Sequence, residues 1–508
     1  MKWIIIYLTS ILIFYGCSSS NTIQYLEPSN SAGDGSFYSE KGIYQLGEKE
    51  YSADYGTITV PENRHNSNSR LIHLPVIRIH ALSGNPNEPL FGLSGGPGMS
   101  NMSFRPVDSL LYDHDFVIVG YRGVDGSTVL NCPEVSEAFK NDEEDLLNEQ
   151  SMRKIGEAWE KSFNRLESLG IDLNGYTIPE TVEDLEAVRK ALNYNRINLI
   201  SESYGTRIAY IYGLMYPQII HRSVMIALNP PGGFIYDPGI TDEQIRYYSR
   251  LWAKDSALLK LSPNLEATMK KVLQNMPGKW FLFSINPGKV KIVTFAMLFH
   301  RGSAAMVFDS YIAAEKGDYS GLALMSLAFD FIFPDMGIWG DMATKAVSAD
   351  FDSAKIFSSV KCKNELLGSP MNKIMWGPMK YFHIPFNMIP DSLRSPVETE
   401  VETLILSGNL DFSTPAENGT EFLPYLKNGR QVIISDAGHV GDIRYLQLDA
   451  TNELISNYIN KGIVDTSKIK YVPMNFNVNE GFPDMAKAAF GLIGLVVLFM
   501  VASIIWIF

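Results

Sequence analysis

Six short apolar runs, each cut off by Gly, Pro or Asp or by a polar stretch, constrain this chain more than any other feature. They are PLFGLS at 89–94, FVIV at 116–119, INLI at 197–200, SVMIAL at 223–228, TLILS at 403–407 and QVIIS at 431–435. Runs this short and this uniformly apolar read as strands buried on both faces, which is the signature of a parallel sheet. Helical patterns lie between several of them. Thr177-Ile178-Pro179-Glu180 has the form of a capping box, and Val182, Leu185, Val188 and Leu192 follow at helical spacing. Arg207 to Tyr216 reads as a helix that stops at Pro217. Strand–helix alternation of this kind predicts an α/β fold: a mostly parallel central sheet flanked by helices. Two β-rich stretches, YGTITV and RLIHLPVIRIHA, precede the first of the six runs and flank a polar turn.

The alternation is interrupted twice. Residues 124–176 form an acidic, helix-prone insert, in which Asp142-Glu143-Glu144-Asp145 reads as a solvated helix face. Residues 229–399 are rich in Met, Phe and Ala and predict a mostly helical cap inserted between two strands. The sheet-forming core is then expected over 51–228 and 400–462, with a tether over 18–50 and a linker over 463–487. The 508 residues suffice for a large core. A net charge of −13 speaks against nucleic acid as a partner, since phosphates are met by basic surface. Cys17, Cys132 and Cys362 are too few for a disulfide scaffold or a structural zinc site. An exported location permits Cys132 and Cys362 to pair.

Both ends read as membrane signals. Residues 1–17, MKWIIIYLTSILIFYGC, have a positive start and a 13-residue, mostly apolar stretch from Trp3 to Tyr15, which is signal-peptide length. Gly16-Cys17 followed by Ser18-Ser19-Ser20 resembles a bacterial lipoprotein cleavage site, with Cys17 the lipidation residue; the alternatives are a plain export signal or an uncleaved anchor. Residues 488–508 hold one clearly polar residue, Ser503. At ~1.5 Å per residue such a helix reaches about 31 Å, enough to span a bilayer. The expected location is a membrane, outside the cytoplasm.

Four places carry chemistry. Ser201-Glu202-Ser203-Tyr204-Gly205 sits between the strand INLI and a helix, the context of a nucleophile elbow with Ser203 at its centre. Ser94-Gly95-Gly96-Pro97-Gly98 follows another strand. Acyl transfer places negative charge on a carbonyl oxygen, and glycines let backbone N–H groups approach it. The expected oxyanion hole therefore uses Gly95 or Gly96 together with the N–H of Tyr204. Asp411 follows the strand TLILS, and His439 follows QVIIS. The order Ser203, Asp411, His439, each at the carboxyl end of a strand, predicts a Ser–His–Asp triad. Metal and nucleotide motifs are absent, so neither metal nor cofactor is expected.

With these residues in hand the chain resembles the α/β-hydrolase family of proline iminopeptidases and tripeptidyl aminopeptidases. The resemblance is carried by Gly95-Gly96-Pro97-Gly98, Tyr121-Arg122-Gly123, Ser203-Tyr204-Gly205-Thr206, Asp411 with Thr414-Pro415, and Gly438-His439, and it covers roughly residues 50–460. It departs at Ser201, Ser94 and Gly120. It implies an α/β-hydrolase fold with an inserted helical cap and a serine hydrolase that removes residues from peptide N-termini. Such an enzyme has to hold a substrate ammonium, for which Glu315, Asp318, Asp335 and Asp341 are candidates by charge alone, with solvent exposure the alternative for each; Glu202, beside the nucleophile, lines the site or faces the sheet. Phe329, Phe331, Phe333 and Trp339 are candidates for an apolar subsite or for the cap's own core. An esterase acting on small acyl substrates would use the same triad. A non-enzymatic binding protein on this fold would be expected to lack Ser203, Asp411 or His439.

Overall fold

The computed structural model describes residues 32–354, 356 and 366–492. Its nine-stranded sheet runs in the order β1-β2-β3-β5-β4-β6-β7-β10-β11. The ranges are Phe37–Leu46 (β1), Lys49–Pro61 (β2), Leu71–Ile79 (β3), Leu90–Leu93 (β4), Phe116–Val119 (β5), Ile197–Glu202 (β6), Ile220–Ile226 (β7), Glu402–Gly408 (β10) and Gly429–Ile434 (β11). The six apolar runs become β4, β5, β6, β7, β10 and β11, and every pairing among these six is parallel. The two β-rich stretches become β2 and β3, antiparallel to each other, and β3 joins β5 antiparallel. β5 lies on one side of β4 and β6 on the other. The carboxyl edge of β4 and β6 is thus a point where the winding of the sheet reverses, and in such sheets a crevice opens there.

Two expectations at the borders of the core need correction. The stretch 18–50, read as a tether, contains β1, whose ten residues all pair with β2. Its alternation is masked because its face is largely exposed, so the apolar signal is weak. The stretch 463–487, read as a linker, is a strap packed on the cap. Phe476 stands against Tyr248 and Trp252, Arg301 Nη1 donates to the Val472 carbonyl at 3.0 Å, and Phe482 and Ala486 are buried. The strap ends in a helix over residues 482–492.

Among the described residues between β7 and β10 the chain forms helices and one small hairpin, Lys279–Trp280 (β8) with Phe283–Ser284 (β9). The helices that bear on the site are α1 (Ile178–Ala191) and α2 (Tyr204–Met215) of the core. In the cap they are α3 (Pro238–Trp252), α4 (Arg301–Glu315), α5 (Ser320–Ile332) and α6 (Trp339–Asp350). After β11 comes α7 (Val440–Tyr445). Thr177 is the N-cap of α1, but its side chain makes no capping bond. The expected capping box does not form because Glu180 turns to Arg64, which donates to it from Nη1 at 2.6 Å and from its backbone N–H at 3.0 Å. The acidic run at 142–145 lies on the connector between two helices rather than on a helix face, and Glu143 pairs there with Lys154 at 2.7 Å.

Candidate active site

β6 ends in a turn that gives Ser203 φ +50° and ψ −122°, and α2 starts at the next residue. A side chain in the left-handed region is strained, and a tightly packed surround has to hold it there. Ser203 N–H donates to Ile226 O at 2.8 Å, and both Thr206 N–H (2.9 Å) and Thr206 Oγ1 (2.6 Å) donate to Ser203 O. The small residues around it are required by space. A Cβ on Gly205 would stand 2.2 Å from Leu93 O. Ser201, which replaces the usual glycine, is fully buried and donates its hydroxyl to Val224 O at 3.1 Å.

Asp411 is fully buried, and its carboxylate is satisfied all round. Oδ1 accepts from the N–H groups of Ser413 (2.8 Å) and Thr414 (2.9 Å), while Oδ2 accepts from Thr414 Oγ1 at 2.7 Å and faces His439 Nδ1 at 2.7 Å. A carboxylate on Nδ1 holds the proton at that nitrogen and leaves Nε2 as the basic atom. The cap meets the histidine loop here. His439 N–H donates to Phe299 O at 2.6 Å, and the Phe299 ring tilts over the imidazole at 5.6 Å. A second histidine, His300, follows. Burial, with the charge of His439 adding to it, pushes its imidazole down to about 4.

The strand ends are level, because Glu202 pairs with Ile226, Ile226 with Leu406 and Leu406 with Val432. Ser203, Asp411 and His439 therefore leave the sheet on one edge. Gly95 lies against the serine, for a Cβ there would stand 3.1 Å from Ser203 Cβ and 3.7 Å from its Oγ. Gly96 has φ +134°, the Gly96–Pro97 bond is cis, and Tyr204 is fully buried at the start of α2. The loop they belong to is held from both sides. From the core, Asn101 Oδ1 accepts Ser94 N–H at 2.7 Å, and Asp125 accepts Asn101 N–H at 3.0 Å. From the cap, Asp341 Oδ2 accepts Gly98 N–H at 3.0 Å, and Ile338 N–H donates to Gly98 O at 2.8 Å.

Asp341 belongs to α6, a helix anchored on the core along its length. Lys345, one turn on, pairs with Asp341 and donates to Arg122 O at 3.0 Å; both side chains are wholly buried. Burial raises the Asp341 carboxyl, and the Lys345 ammonium and the Gly98 N–H oppose that rise. At the far end Asp350 takes both its oxygens to Arg207 Nη2 at 2.9 Å, again with neither side chain exposed. These residues, with Asn101, Asp125, Phe299 and His300, were not singled out by the sequence reading for the roles they take here. For Asp341, Lys345 and Asp350 of α6 no motif marks the contacts to the core, because those partners lie more than a hundred residues away.

The other candidates by charge are engaged elsewhere or exposed. Glu202 pairs with Arg444 on α7, Glu315 accepts from Thr268 at 2.6 Å, Asp318 pairs with Lys487 at 2.6 Å, and Asp335 is exposed. Phe329, Phe333 and Trp339 are buried in cap packing and Phe331 is exposed. The apolar cavity beside Phe139, Trp159, Phe333, Trp339 and Trp376 holds about 20 Å³, room for one water and too little for a side chain. Cys132 is buried, and burial pushes its thiol up to about 12. Cys17, Cys362 and most of the expected span 488–508 lie outside the described residues. Among the described residues no single helix is long and apolar enough to cross a membrane, and no cluster of His, Cys, Asp or Glu is arranged to hold a metal ion.

A family model described as the alpha/beta hydrolase fold matches residues 88–441. The chain belongs to that family. This hydrolase is similar to the tripeptidyl aminopeptidases of Streptomyces lividans and Streptomyces coelicolor. It is 24% identical to each over 468 residues, which is 82% of this chain and 83% of theirs. Among solved structures, a proline iminopeptidase from Mycobacterium smegmatis overlaps it at 14% identity and a TM-score of 0.37, covering 80% of this chain and 98% of that one. An esterase from Exiguobacterium antarcticum does so at 12% and 0.37, covering 79% and 98%. The α/β-hydrolase assignment rests on the family match and on the sheet order, not on overlaps this loose.

Proposed function

We propose that the hydrolase is a serine peptidase that releases residues or short peptides from peptide N-termini through an acyl-enzyme on Ser203. The observation that carries this reading is the 2.7 Å pairing of His439 Nδ1 with Asp411 on the strand edge where Ser203 is held at φ +50°. In the mechanism His439 Nε2 takes the Ser203 hydroxyl proton as Oγ attacks the scissile carbonyl. The carbonyl oxygen becomes an oxyanion facing the N–H of Tyr204 and that of Gly95 or Gly96. Collapse of the tetrahedral intermediate breaks the C–N bond, and His439 gives its proton to the leaving amine. Water, deprotonated by the same nitrogen, then frees the acyl group.

Two observations favour an exopeptidase acting at the amino end. The cap touches the site on both flanks, at Gly98 through Ile338 and at His439 through Phe299, which favours a chain end over a passing polypeptide. The similarity to enzymes named tripeptidyl aminopeptidase supplies the direction. Residues 1–17 and 488–508 support export and membrane attachment, with a lipid on Cys17 as one anchor.

The test pairs a peptide carrying a free amine with its acetylated form. Loss of most of the kcat/KM on acetylation is the expected result, since the group that holds the ammonium is then left unpaired. Equal rates on both peptides, or rapid turnover of simple esters with neither peptide cut, would move the reading to an esterase. Mass spectrometry of the mature chain tests the lipid, and an unmodified Cys17 ends that half of the reading.

A further inference from the structure

The β8–β9 hairpin carries Phe281 and Leu282 at its tip, 70% and 89% exposed. Two-residue hairpin loops favour Asn, Asp or Gly, which take positive φ at little cost. Here Phe281 has φ +48°, so neither turn geometry nor burial accounts for an aromatic residue at this position. Trp280 and Phe283 flank the tip, and Phe490 from the 482–492 helix seats on all three aromatic rings. Its centroid lies 5.4 Å from Phe281, 5.7 Å from Trp280 and 6.1 Å from Phe283. The hairpin packs on α5, whose Leu327 and Phe331, spaced i and i+4, are exposed as well. Leu492, two residues past Phe490, is 50% exposed, and residues 493–508 continue as IGLVVLFMVASIIWIF without one charged residue.

We infer that this aromatic hairpin is a lipid-contacting surface, inserted into the bilayer interface beside the point where residues 493–508 enter it. The inference rests on the membrane attachment proposed above and adds a second, independent contact made by the cap. A protein partner, or residues 493–508 folded back, fits less well. Sixteen residues with Ser503 as the one clearly polar member hold more apolar surface than one hairpin face can cover, whereas lipid can take all of it. The composition agrees with an interface. Trp280 is an aromatic residue of the kind enriched at membrane interfaces, Lys279 is exposed at the base of the hairpin, and Lys487, one turn before Phe490, is half-exposed and pairs with Asp318 at 2.6 Å.

The test uses the full chain and vesicles of phosphatidylethanolamine with phosphatidylglycerol. A Leu282→Cys variant carries an environment-sensitive fluorophore, with the label taken up by the parent chain subtracted. The expected result is co-sedimentation with vesicles, a blue shift of the probe on adding lipid, and quenching by nitroxide lipids, strongest for a shallow nitroxide. With the probe moved to Ser284→Cys, adding Phe281→Asp and Leu282→Asp abolishes the quenching, while the rate on a soluble peptide is unchanged. Failure to co-sediment overturns the attachment and the hairpin contact together. Co-sedimentation with an unquenched, water-exposed probe overturns the hairpin contact alone. A probe that is already blue-shifted without lipid, and indifferent to nitroxide lipids, assigns the patch to residues 493–508 or to a second copy of the chain and overturns the inference.

Discussion

The loops at the strand ends and helix α6 of the cap bear on one site by opposite means. The loop after β10 is largely self-contained: Asp411 is bound by Ser413 and Thr414, two and three residues away. α6 reaches the core across long stretches of chain. Asp341 meets Gly98 across 243 residues, Lys345 meets Arg122 across 223, and Asp350 meets Arg207 across 143. The contrast teaches that the groups proposed to react are encoded by short stretches, whereas the loop proposed to stabilise charge is held by a remote helix. A change in the first region should alter chemistry with the fold intact. A change in the second should alter chemistry and stability together.

The sharpest break in this comparison is at Ser203. Ser203→Ala or His439→Ala should lower kcat by several orders of magnitude and leave the thermal midpoint nearly unmoved. A fluorophosphonate should label the parent chain and not Ser203→Ala; labelling and full activity in that variant would remove the serine from its proposed role. Next in size is Asp341→Asn, which leaves the Lys345 ammonium buried without its carboxylate. Breaking a buried pair costs about 3–5 kcal/mol, so denaturant unfolding should show a loss of this order, with kcat falling more than KM rises. Adding Lys345→Met should recover much of the stability. It should not recover kcat, because the acceptor of the Gly98 N–H stays altered. Unchanged kcat in Asp341→Asn would uncouple α6 from the role proposed for the Gly95–Gly98 loop.

Two smaller effects sharpen the contrast. His300 has its folded value near 4, below the ordinary 6.5, through burial and the nearby charge of His439, with Asp411 opposing. A lowered histidine favours the folded state fully above about pH 6.5, and that contribution is lost as pH falls toward 4, on the order of 3 kcal/mol. Asp442, whose carboxyl burial pushes up, faces His300 and acts in the opposite sense. Comparing urea midpoints of the parent chain and His300→Gln across this range isolates the histidine. The variant should lose less stability on acidification; parallel curves would remove His300 as the cause. The smallest effect expected is at Thr414. Thr414→Val removes the hydroxyl that donates to Asp411 Oδ2. One such bond is worth about 1–2 kcal/mol of stability, so the unfolding midpoint should drop to match a loss of this order, with kcat lowered and KM little changed.

Much of this was legible because strands and turns leave local marks. The six apolar runs became six strands, and the elbow around Ser203 was visible from its small residues and its place between strand and helix. β1 was missed because its exposed face carries no apolar period. The capping box at Thr177 was misread because Glu180 had a stronger partner in Arg64, 116 residues away, which no local pattern reveals. The strap over 463–487 looked like a linker because its apolar residues, among them Phe476 and Phe482, have no helical or strand spacing. Their partners lie on the cap.

By itself the sequence determined which six segments form the parallel part of the sheet, which serine sits in a strained turn, and that an acid and a histidine follow in the order a triad requires. Backbone period, turn chemistry and side-chain volume all act within a few residues, so they can be read along the chain. Tertiary structure alone decided which carboxylate holds the Gly95–Gly98 loop and which cap residues stand over His439. It also decided that Asp341 is a buried partner of Lys345 rather than an open acidic group. Apart from the Asp341–Lys345 pair, whose members are one turn apart, these outcomes depend on charges and donors brought together from more than a hundred residues apart, where the cost of leaving either one buried and unpaired selects the contact.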